Sequence, residues 1–227
     1  MNKITSPIIF IPARGGSKRI KNKNMKKLGR FPLLYFPLEI ASQLDGKTIV
    51  STDSSEIASY AKSKNAIIHN RPKKISKDSS TIEEAVQHFL NEKKIEFHDN
   101  QVLIILSACS PFLKVETIKK ALKKFKKSTT DCLISTHESY EDYWVSYGSK
   151  IKRIRENEPR RQQDRRPFLV ENSSFYITTV DHLKSTNLLI DGRIENYNIS
   201  TIEGFDINNE SDLQLARLIK KNLTKFE

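Results

Sequence analysis

Long hydrophobic runs are missing from this sequence of 227 residues. No apolar stretch approaches the roughly 20 residues that an α-helix needs to span a bilayer, and we therefore expect no membrane segment. The N-terminus has no basic region followed by a long apolar segment, so no secretory signal is expected either. Internal repeats and low-complexity tails are absent as well. The length therefore predicts one domain over residues 1–227, large enough to bury a hydrophobic core.

Cysteine is scarce, with two residues, Cys109 and Cys132. Each stands at the end or the start of a predicted buried strand, which predicts reduced thiols and a cytoplasmic protein. No group of cysteines and histidines has the spacing of a zinc site. The five histidines are scattered along the chain, and their spacing singles out none of them as a metal ligand.

Glycine is also scarce, with seven residues, and the two common glycine motifs of phosphate-binding loops are absent. A Walker A loop requires Gly-x-x-x-x-Gly-Lys-Ser/Thr, and a dinucleotide site requires Gly-x-Gly-x-x-Gly. Neither spacing occurs in this chain, which excludes both of these loop classes.

A basic loop, Ile11–Asn24, is present instead. It follows an apolar run over Ile8–Ile11 that predicts a buried strand, and it contains the paired glycines Gly15 and Gly16. Glycine lets the backbone pass close to a ligand, and successive N–H groups can converge on phosphate oxygens. The loop therefore predicts a polyphosphate site, although a basic, solvated turn is the alternative. Its five cations are Arg14, Lys18, Arg19, Lys21 and Lys23.

The net charge of the chain is +12, from 39 basic and 27 acidic residues. A nucleic-acid partner is one interpretation of such a charge. However, most of the cations are lysines spread along the chain, and three lysine pairs lie on the outer face of one predicted helix. An anionic small substrate accounts equally well for the charge concentrated in the basic loop. We therefore expect no nucleic-acid partner.

Strand and helix patterns alternate along the chain, which predicts an α/β protein with parallel βαβ units and right-handed crossovers. The predicted strands are Ile8–Pro12, Lys47–Ser51, Ala66–His69, Gln101–Leu106, Asp131–Thr136, Phe175–Thr179 and Asn196–Ser200. The predicted helices are Leu33–Gln43, Glu56–Lys64, Thr81–Phe89, Val115–Lys127, Asp181–Ser185 and Asp212–Lys221. Ser80 and Glu83 have the spacing of a capping box at the third of these helices.

Four polar loops follow predicted strands of this sheet. In parallel sheets ligands bind at the carboxyl ends of the strands, and these loops are therefore predicted to form one shared site. They are Arg14–Asn24, Asp53, Arg71–Thr81 and Ser107–Leu113.

The α/β pattern breaks off over residues 138–168, where aromatic residues alternate with polar ones. One interpretation is an arm or small subdomain that packs on another subunit, because aromatic residues are typical of interfaces. The other is a surface excursion with a small core of its own. We assign residues 138–168 as an arm inserted in the domain.

Asp206 and Asn208 precede the last predicted helix and are two positions apart. On an extended segment their side chains face the same way, and two oxygen ligands opposite a phosphate loop fit a Mg²⁺ site. The alternative is helix capping by Asn208 or Asn209, with Asp212 in the first turn. These residues taken alone favour capping.

Together, these motifs resemble the N-acylneuraminate cytidylyltransferases, or CMP-sialic acid synthetases, including relatives that activate legionaminic or pseudaminic acid. The similarity runs nearly end to end. The segments that carry it are Ile11–Lys18, Lys21–Asn24, Ile49–Asp53, Arg71–Pro72 before Asp78–Ser80, Arg161–Asp164, Glu171–Asn172, Phe175–Ile177, and Phe205–Ile207 before Asp212–Leu213.

The resemblance implies a Rossmann-like, mostly parallel sheet flanked by helices, of the nucleotide-diphospho-sugar transferase type, and a homodimer formed through the arm. The implied reaction joins CMP from CTP to the anomeric hydroxyl of a nine-carbon acidic sugar and releases pyrophosphate, with Mg²⁺ as cofactor. Such a reaction depends mainly on positioning and charge neutralisation. Its product would serve lipopolysaccharide or capsule biosynthesis.

The same resemblance implies roles for individual residues. Catalysis would fall to Arg14, Lys18 and Asp206. CTP would be bound by Arg14, Lys18, Lys23, Asn24, Arg71 and Ser80. The sugar would be bound by Ser107, Gln163, Arg165 and Tyr176, and Mg²⁺ by Asp206 and Asn208.

Several positions depart from the family pattern. The family usually has Leu-Gln-Pro-Thr-Ser-Pro-Leu-Arg where this chain has Leu106–Leu113, so that Ser107 replaces a glutamine and Leu113 an arginine. Asn208 replaces a common second aspartate. These changes leave the sugar open, and with it two alternatives: a cytidylyltransferase for the eight-carbon 3-deoxy-manno-octulosonate, and a non-catalytic nucleotide-sugar-binding relative.

Overall fold

The structure is a computed structural model that describes residues 6–92, 96–98 and 100–223. Its strands are β1 (Ile8–Pro12), β2 (Lys27–Leu28), β3 (Phe31–Pro32), β4 (Lys47–Thr52), β5 (Ile67–Asn70), β6 (Val102–Leu106), β7 (Cys132–Ser139), β8 (Trp144–Tyr147), β9 (Lys150–Arg153), β10 (Phe168–Thr179) and β11 (Ile194–Asn198). Its helices are α1 (Tyr35–Ser42), α2 (Ser55–Lys62), α3 (Ile82–Asn91), α4 (Val115–Lys127), α5 (Val180–Thr186) and α6 (Glu210–Leu223).

Seven strands form the central sheet in the order β11-β7-β10-β6-β1-β4-β5. β1 pairs in parallel with β4 and β6, β4 with β5, and β7 with β11. β10 is antiparallel to both of its neighbours, β6 and β7. The expected mostly parallel sheet flanked by helices is therefore confirmed, with one reversed strand. β10 is reversed because the segment that joins it to β7 leaves and returns at the same edge of the sheet.

Both faces of the sheet are buried. Alternate residues of its strands point to opposite faces and pack in two different hydrophobic clusters. In β1, Ile9 and Ile11 pack in a cluster with residues of α1, α2 and α4. Ile8 and Phe10 point the other way, into a cluster with residues of α3 and α5. This arrangement leaves the ends of the strands, rather than their faces, available for a site.

The caps of two helices explain where they begin. α2 starts after Ser54, whose hydroxyl accepts a hydrogen bond from the backbone N–H of Ile57 at 3.4 Å. The capping box of α3 is formed by Thr81 and Glu84, so the expected pair of Ser80 and Glu83 is wrong by one residue. Both pairs have the same spacing, but only Thr81 directly precedes the helix, with Glu84 at its third position.

The predicted arm contains a hairpin of β8 and β9 and a small polar core. The buried Arg153 donates to Asp142 at 2.7 Å and to the carbonyl of Glu158 at 2.8 Å. Trp144, Tyr147 and Ile151 of the hairpin are exposed. The segment therefore has a core of its own and also presents apolar side chains to its surroundings.

No helix in the described part of the chain is both long enough and apolar enough to cross a membrane. The longest of them, α6, has 14 residues.

Candidate active site

The carboxyl ends of four neighbouring parallel strands, β6, β1, β4 and β5, meet at one edge of the sheet. The basic loop follows β1 there and borders a cavity of about 290 Å³. The described lining of this cavity includes Arg14, Lys18, Lys23, Asp78 and Asn208. With Arg19, which also lines the cavity, the structure brings together four cations of the basic loop and one of the two predicted Mg²⁺ ligands.

Gly15 lets the basic loop lie against the turn after β4. Its N–H donates to Asp53 Oδ1 at 2.8 Å. A Cβ at Gly15 would lie 2.8 Å from the Cβ of Ser54, closer than side chains can approach. A Cβ at Gly16 would meet nothing within 4 Å. The first glycine is therefore required by the protein itself, whereas the second opens onto free space.

Two further contacts hold the basic loop in place. The buried Asn24 donates from Nδ2 to the carbonyl of Arg14 at 2.9 Å, so that its amide supports the loop from inside. Lys23 donates from Nζ to the carbonyl of Ile207 at 2.8 Å. The second contact joins the basic loop to the segment of Asp206 and Asn208.

Asp78 is the acidic member of the cavity. One of its carboxylate oxygens lies 2.6 Å from the Arg14 guanidinium, and the other lies 2.6 Å from Nζ of Lys18. Hydrogen bonds from Lys18 and Arg14 hold the pKa of the Asp78 carboxyl below its usual range. The sequence had assigned it no role, although its place in the Arg71–Thr81 loop was a signal that it would face the shared site.

Arg71 begins the loop after β5 and is buried. Its Nε donates to Ser51 Oγ at 2.9 Å. Burial lowers the pKa of the guanidinium to about 10, the nearby Asp53 opposes this shift, and the positive charge of Arg14 adds to it. Arg71 therefore stands within electrostatic reach of the basic loop. Ser80, on the same loop, accepts from the backbone N–H of Lys77 at 3.2 Å.

Asp206 and Asn208 are in direct contact, because Asn208 Nδ2 donates to Asp206 Oδ2 at 2.7 Å. Burial raises the pKa of the Asp206 carboxyl, and the charge of Lys23 opposes this shift. Capping of α6 uses other side chains: Asn209 Oδ1 accepts from the N–H of Asp212, and Asp212 Oδ2 accepts from the N–H of Asn209. The sequence left helix capping and a metal site as alternatives. In the structure, Asn209 and Asp212 cap the helix, and Asp206 and Asn208 are available for a metal.

The loop after β6 lies beside this pair. The N–H of Ile207 donates to the carbonyl of Cys109 at 3.0 Å. Ser107 Oγ accepts from the N–H of Cys109 at 3.1 Å. Burial raises the pKa of the Cys109 thiol, and the charge of Lys23 opposes this. The sequence predicted only that Cys109 is a reduced thiol, but its position in the Ser107–Leu113 loop places it next to Lys23 and Asp206.

The side chains predicted to bind the sugar are not gathered around the cavity. Tyr176 is buried in the core cluster with Ile105, and its hydroxyl donates to Glu171. Burial and this hydrogen bond raise the pKa of the Tyr176 hydroxyl. Its role toward a sugar stays a prediction.

Gln163 and Arg165 lie in the arm. The Arg165 guanidinium pairs with Asp142 at 3.0 Å and donates to the carbonyl of Tyr140 at 2.9 Å. The amide of Gln163 lies against the Arg161 guanidinium. Arg165 is thus part of the polar core of the arm, and a sugar contact by either residue stays a prediction.

Comparison with known proteins identifies the family of this chain. The family model described as Cytidylyltransferase matches residues 8–197. The chain belongs to the cytidylyltransferase family. The match contains the basic loop, the loop of Asp78 and the arm, but it ends before Asp206.

Curated members of the family cover most of this chain. N-acylneuraminate cytidylyltransferase B of Danio rerio is 32% identical, over 91% of this chain and 49% of the relative. N-acylneuraminate cytidylyltransferase of Streptococcus agalactiae serotype V is 26% identical, over 91% and 51%. A Helicobacter pylori protein named pseudaminic acid cytidylyltransferase and UDP-2,4-diacetamido-2,4,6-trideoxy-beta-L-altropyranose hydrolase is 27% identical, over 97% and 43%. The chain spans about half the length of these curated relatives.

A solved structure supports the fold of this cytidylyltransferase family member. It is similar to the structure of CMP:2-keto-3-deoxy-manno-octonic acid synthetase complexed with CTP, with a TM-score of 0.69. The similarity covers 96% of this chain and 99% of the other at 16% identity, and at this identity it concerns the fold alone.

Proposed function

We propose that this chain transfers CMP from CTP to the anomeric hydroxyl of a nonulosonic, sialic-acid-like sugar and releases pyrophosphate. Family membership supplies the class of reaction. The observation that carries the proposal is the convergence of Arg14, Lys18 and Lys23 on one cavity with Asn208. The relatives named above, which act on N-acylneuraminate or pseudaminic acid, support a nine-carbon acid as the substrate.

The basic loop is suited to hold the triphosphate. Arg14 and Lys18 both form ion pairs with the Asp78 carboxylate. Phosphate oxygens carry the same sign of charge as a carboxylate and accept the same hydrogen bonds. In the reaction, the anomeric oxygen forms a bond to the α-phosphorus, and the bond from that phosphorus to pyrophosphate breaks. Its electron pair leaves with pyrophosphate, and the hydroxyl proton passes to water. Cations fixed around the cavity would stabilise the charge that moves onto pyrophosphate.

Mg²⁺ fits the pair of Asp206 and Asn208. Mg²⁺ prefers one or two protein oxygens together with phosphates and water. This pair offers the Asn208 amide at the wall of the cavity and the Asp206 carboxylate in hydrogen-bond contact with that amide. Burial that raises the pKa of Asp206 is a cost that a bound cation would offset. When bound, the ion would neutralise phosphate charge.

The arm supports a homodimer. Trp144, Tyr147, Ile151 and Leu169 are between half and about two thirds exposed. Trp144 and Ile151 lie on the same face of the β8–β9 hairpin. Exposed apolar side chains on one face mark an interaction surface, and a second copy of the chain would cover it. We place the protein in the cytoplasm, because both cysteines are free thiols and CTP is an intracellular substrate.

Pyrophosphate release from CTP tests the reaction. The acceptors to compare are sialic, legionaminic, pseudaminic and 3-deoxy-manno-octulosonic acids, each with Mg²⁺ and with a chelator. We expect turnover with one of the nine-carbon acids, dependence on Mg²⁺, and loss of turnover in Arg14→Ala. Arg30→Ala, which removes an exposed arginine outside the cavity, is the matched control.

Each other outcome has a definite meaning. Turnover with the eight-carbon acid alone would replace the substrate. Binding of CTP in calorimetry without pyrophosphate release would indicate a non-catalytic relative. Neither heat with CTP nor turnover with any acid would end the proposal.

A further inference from the structure

We propose that His69, His88 and Glu92 form a Zn²⁺ site, separate from the cavity of the basic loop. His69 is on β5, His88 is in the last turn of α3, and Glu92 is the C-cap residue of that helix, four positions after His88. This inference does not rest on the proposed function. The sequence did not single out these histidines, because β5 and α3 bring them together only in the folded chain.

The three side chains converge. His69 Nε2 lies 2.9 Å from His88 Nδ1. Oε1 of Glu92 lies 3.9 Å from the same His88 nitrogen. All three ligand atoms lie within 4.8 Å of one another. Zn²⁺ binds nitrogen at roughly 2.0–2.1 Å and carboxylate oxygen at roughly 2.0–2.2 Å, and small side-chain movements would bring all three atoms to these distances.

A hydrogen bond at its second ring nitrogen orients the His69 ring. Its Nδ1 lies 2.8 Å from Ser51 Oγ, and the same hydroxyl accepts from Arg71 Nε at 2.9 Å. A metal-binding histidine typically has its second ring nitrogen fixed by an oxygen in this way. With the proton on Nδ1 donated to Ser51, Nε2 presents its lone pair to the ion.

The surroundings fit a bound transition metal. His69 is buried beside Phe10 and Phe89, with ring centroids 6.3 and 5.6 Å away, so the inner side of the site is apolar. His88 and Glu92 are partly exposed, which leaves an entry path and room for water as the fourth ligand. Imidazole ligands favour Zn²⁺ over Mg²⁺, so this site and the pair of Asp206 and Asn208 would select different ions.

Metal titration of the full chain, stripped of metal and without nucleotide, tests the site. Zn²⁺ affinity is measured by competition with a chromophoric chelator, and Co²⁺ serves as a spectroscopic probe of the ligand geometry. We expect one ion per chain, a visible Co²⁺ band and a Zn²⁺-dependent rise in melting temperature. In His88→Ala and Glu92→Gln, Zn²⁺ affinity should fall by roughly tenfold or more.

His98→Ala is the matched control, because it removes an exposed histidine outside the cluster and should bind Zn²⁺ like the parent. Circular dichroism of each metal-free variant checks that it folds. The proposal is overturned if His88→Ala and Glu92→Gln bind Zn²⁺ with the parent's stoichiometry and affinity, or if the parent binds none. Neither result bears on CTP turnover, so this inference and the proposed function fail separately.

Discussion

The carboxylate of Asp78 lies 2.6 Å from the guanidinium of Arg14, in the space where we expect a phosphate group. The same carboxylate lies 2.6 Å from Lys18. The protein itself therefore supplies an anion to the two cations that we expect a polyphosphate to bind. Asp78 thus competes with the ligand for the cations of the basic loop.

Replacing Asp78→Asn removes this competition. We expect roughly two- to fivefold tighter binding of inorganic tripolyphosphate, because exposed ion pairs are individually weak. Isothermal calorimetry measures the change. Because the pKa of the Asp78 carboxyl is lowered, this group stays charged until the pH falls below the usual range of aspartate pKa values. Only at such a pH does protonation mimic the substitution. Around neutral pH, the competition between Asp78 and the ligand in the parent is constant. Equal or weaker binding by the variant would contradict this role.

The paired glycines should respond differently to alanine. Gly15→Ala places a Cβ 2.8 Å from Ser54, and such overpacking costs about 1–3 kcal/mol. The basic loop would shift, with weaker tripolyphosphate binding and a lower melting temperature. Gly16→Ala meets nothing within 4 Å and is the control for folding, since its stability should match the parent's. Equal stability of the two variants would show that the loop does not need this close contact.

Ser173 adopts the left-handed conformation, with φ of 56°, at the irregularity of β10 between Glu171 and Tyr176. Glycine occupies this region without steric cost. Ser173→Gly should therefore stabilise the protein by about 0.5–1 kcal/mol in urea denaturation. The neighbouring Ser174→Gly, at a buried position outside the left-handed region, should destabilise it. A lower stability of Ser173→Gly would show that the left-handed backbone of Ser173 is not strained.

Asp206→Asn should separate metal binding from folding. Burial raises the pKa of this carboxyl, so its charged form is disfavoured in the fold, and at neutral pH the neutral variant should be at least as stable as the metal-free parent. The variant should need about tenfold more Mg²⁺ for half-maximal turnover, since it lacks the anionic ligand. For the parent, Mg²⁺ binding should weaken as the pH falls through the raised pKa. Unchanged Mg²⁺ dependence of Asp206→Asn would place the ion elsewhere.

The exposed apolar side chains of the arm predict a dimer, and one charged substitution there should dissociate it. Ile151 is 69% exposed on β9, and Ile151→Asp would place a charge in the proposed apolar interface. We expect light scattering to show a dimer for the parent and a monomer for this variant. Lys123→Asp changes an exposed charge on α4, outside the arm, and should remain dimeric. A monomeric parent would disprove the dimer.

Much of the fold could be predicted from local patterns. α4 has the predicted bounds, Val115–Lys127, because its apolar residues recur at helical spacing and lysines fill the other face. Strand extensions were missed. β7 continues to Ser139, and β10 begins at Phe168, because these extensions run beyond the core and carry no continuous apolar pattern.

The site could be predicted in part. The basic loop and the Arg71–Thr81 loop were expected to meet, since loops that follow parallel strands share one edge of the sheet. Asn208 was expected opposite the basic loop only under the Mg²⁺ interpretation, whereas the residues taken alone favoured helix capping. The pairing of Asp78 with Arg14 was not expected, nor was the approach of His69 to His88. Spacing along the chain carries no information on which side chains of different loops or elements touch.

The sequence by itself determined the class of the sheet, the basic loop and the family resemblance, because periodicity and motif spacing are local properties of the chain. Only the tertiary structure decided the reversed direction of β10, the polar core of the arm around Asp142, and the contacts of Asp78 and His69. These depend on strand pairing and helix packing between residues that are far apart in the chain. The physical reason is that a side chain's partners are set by the whole fold, whereas its residue type records only the chemistry it can offer.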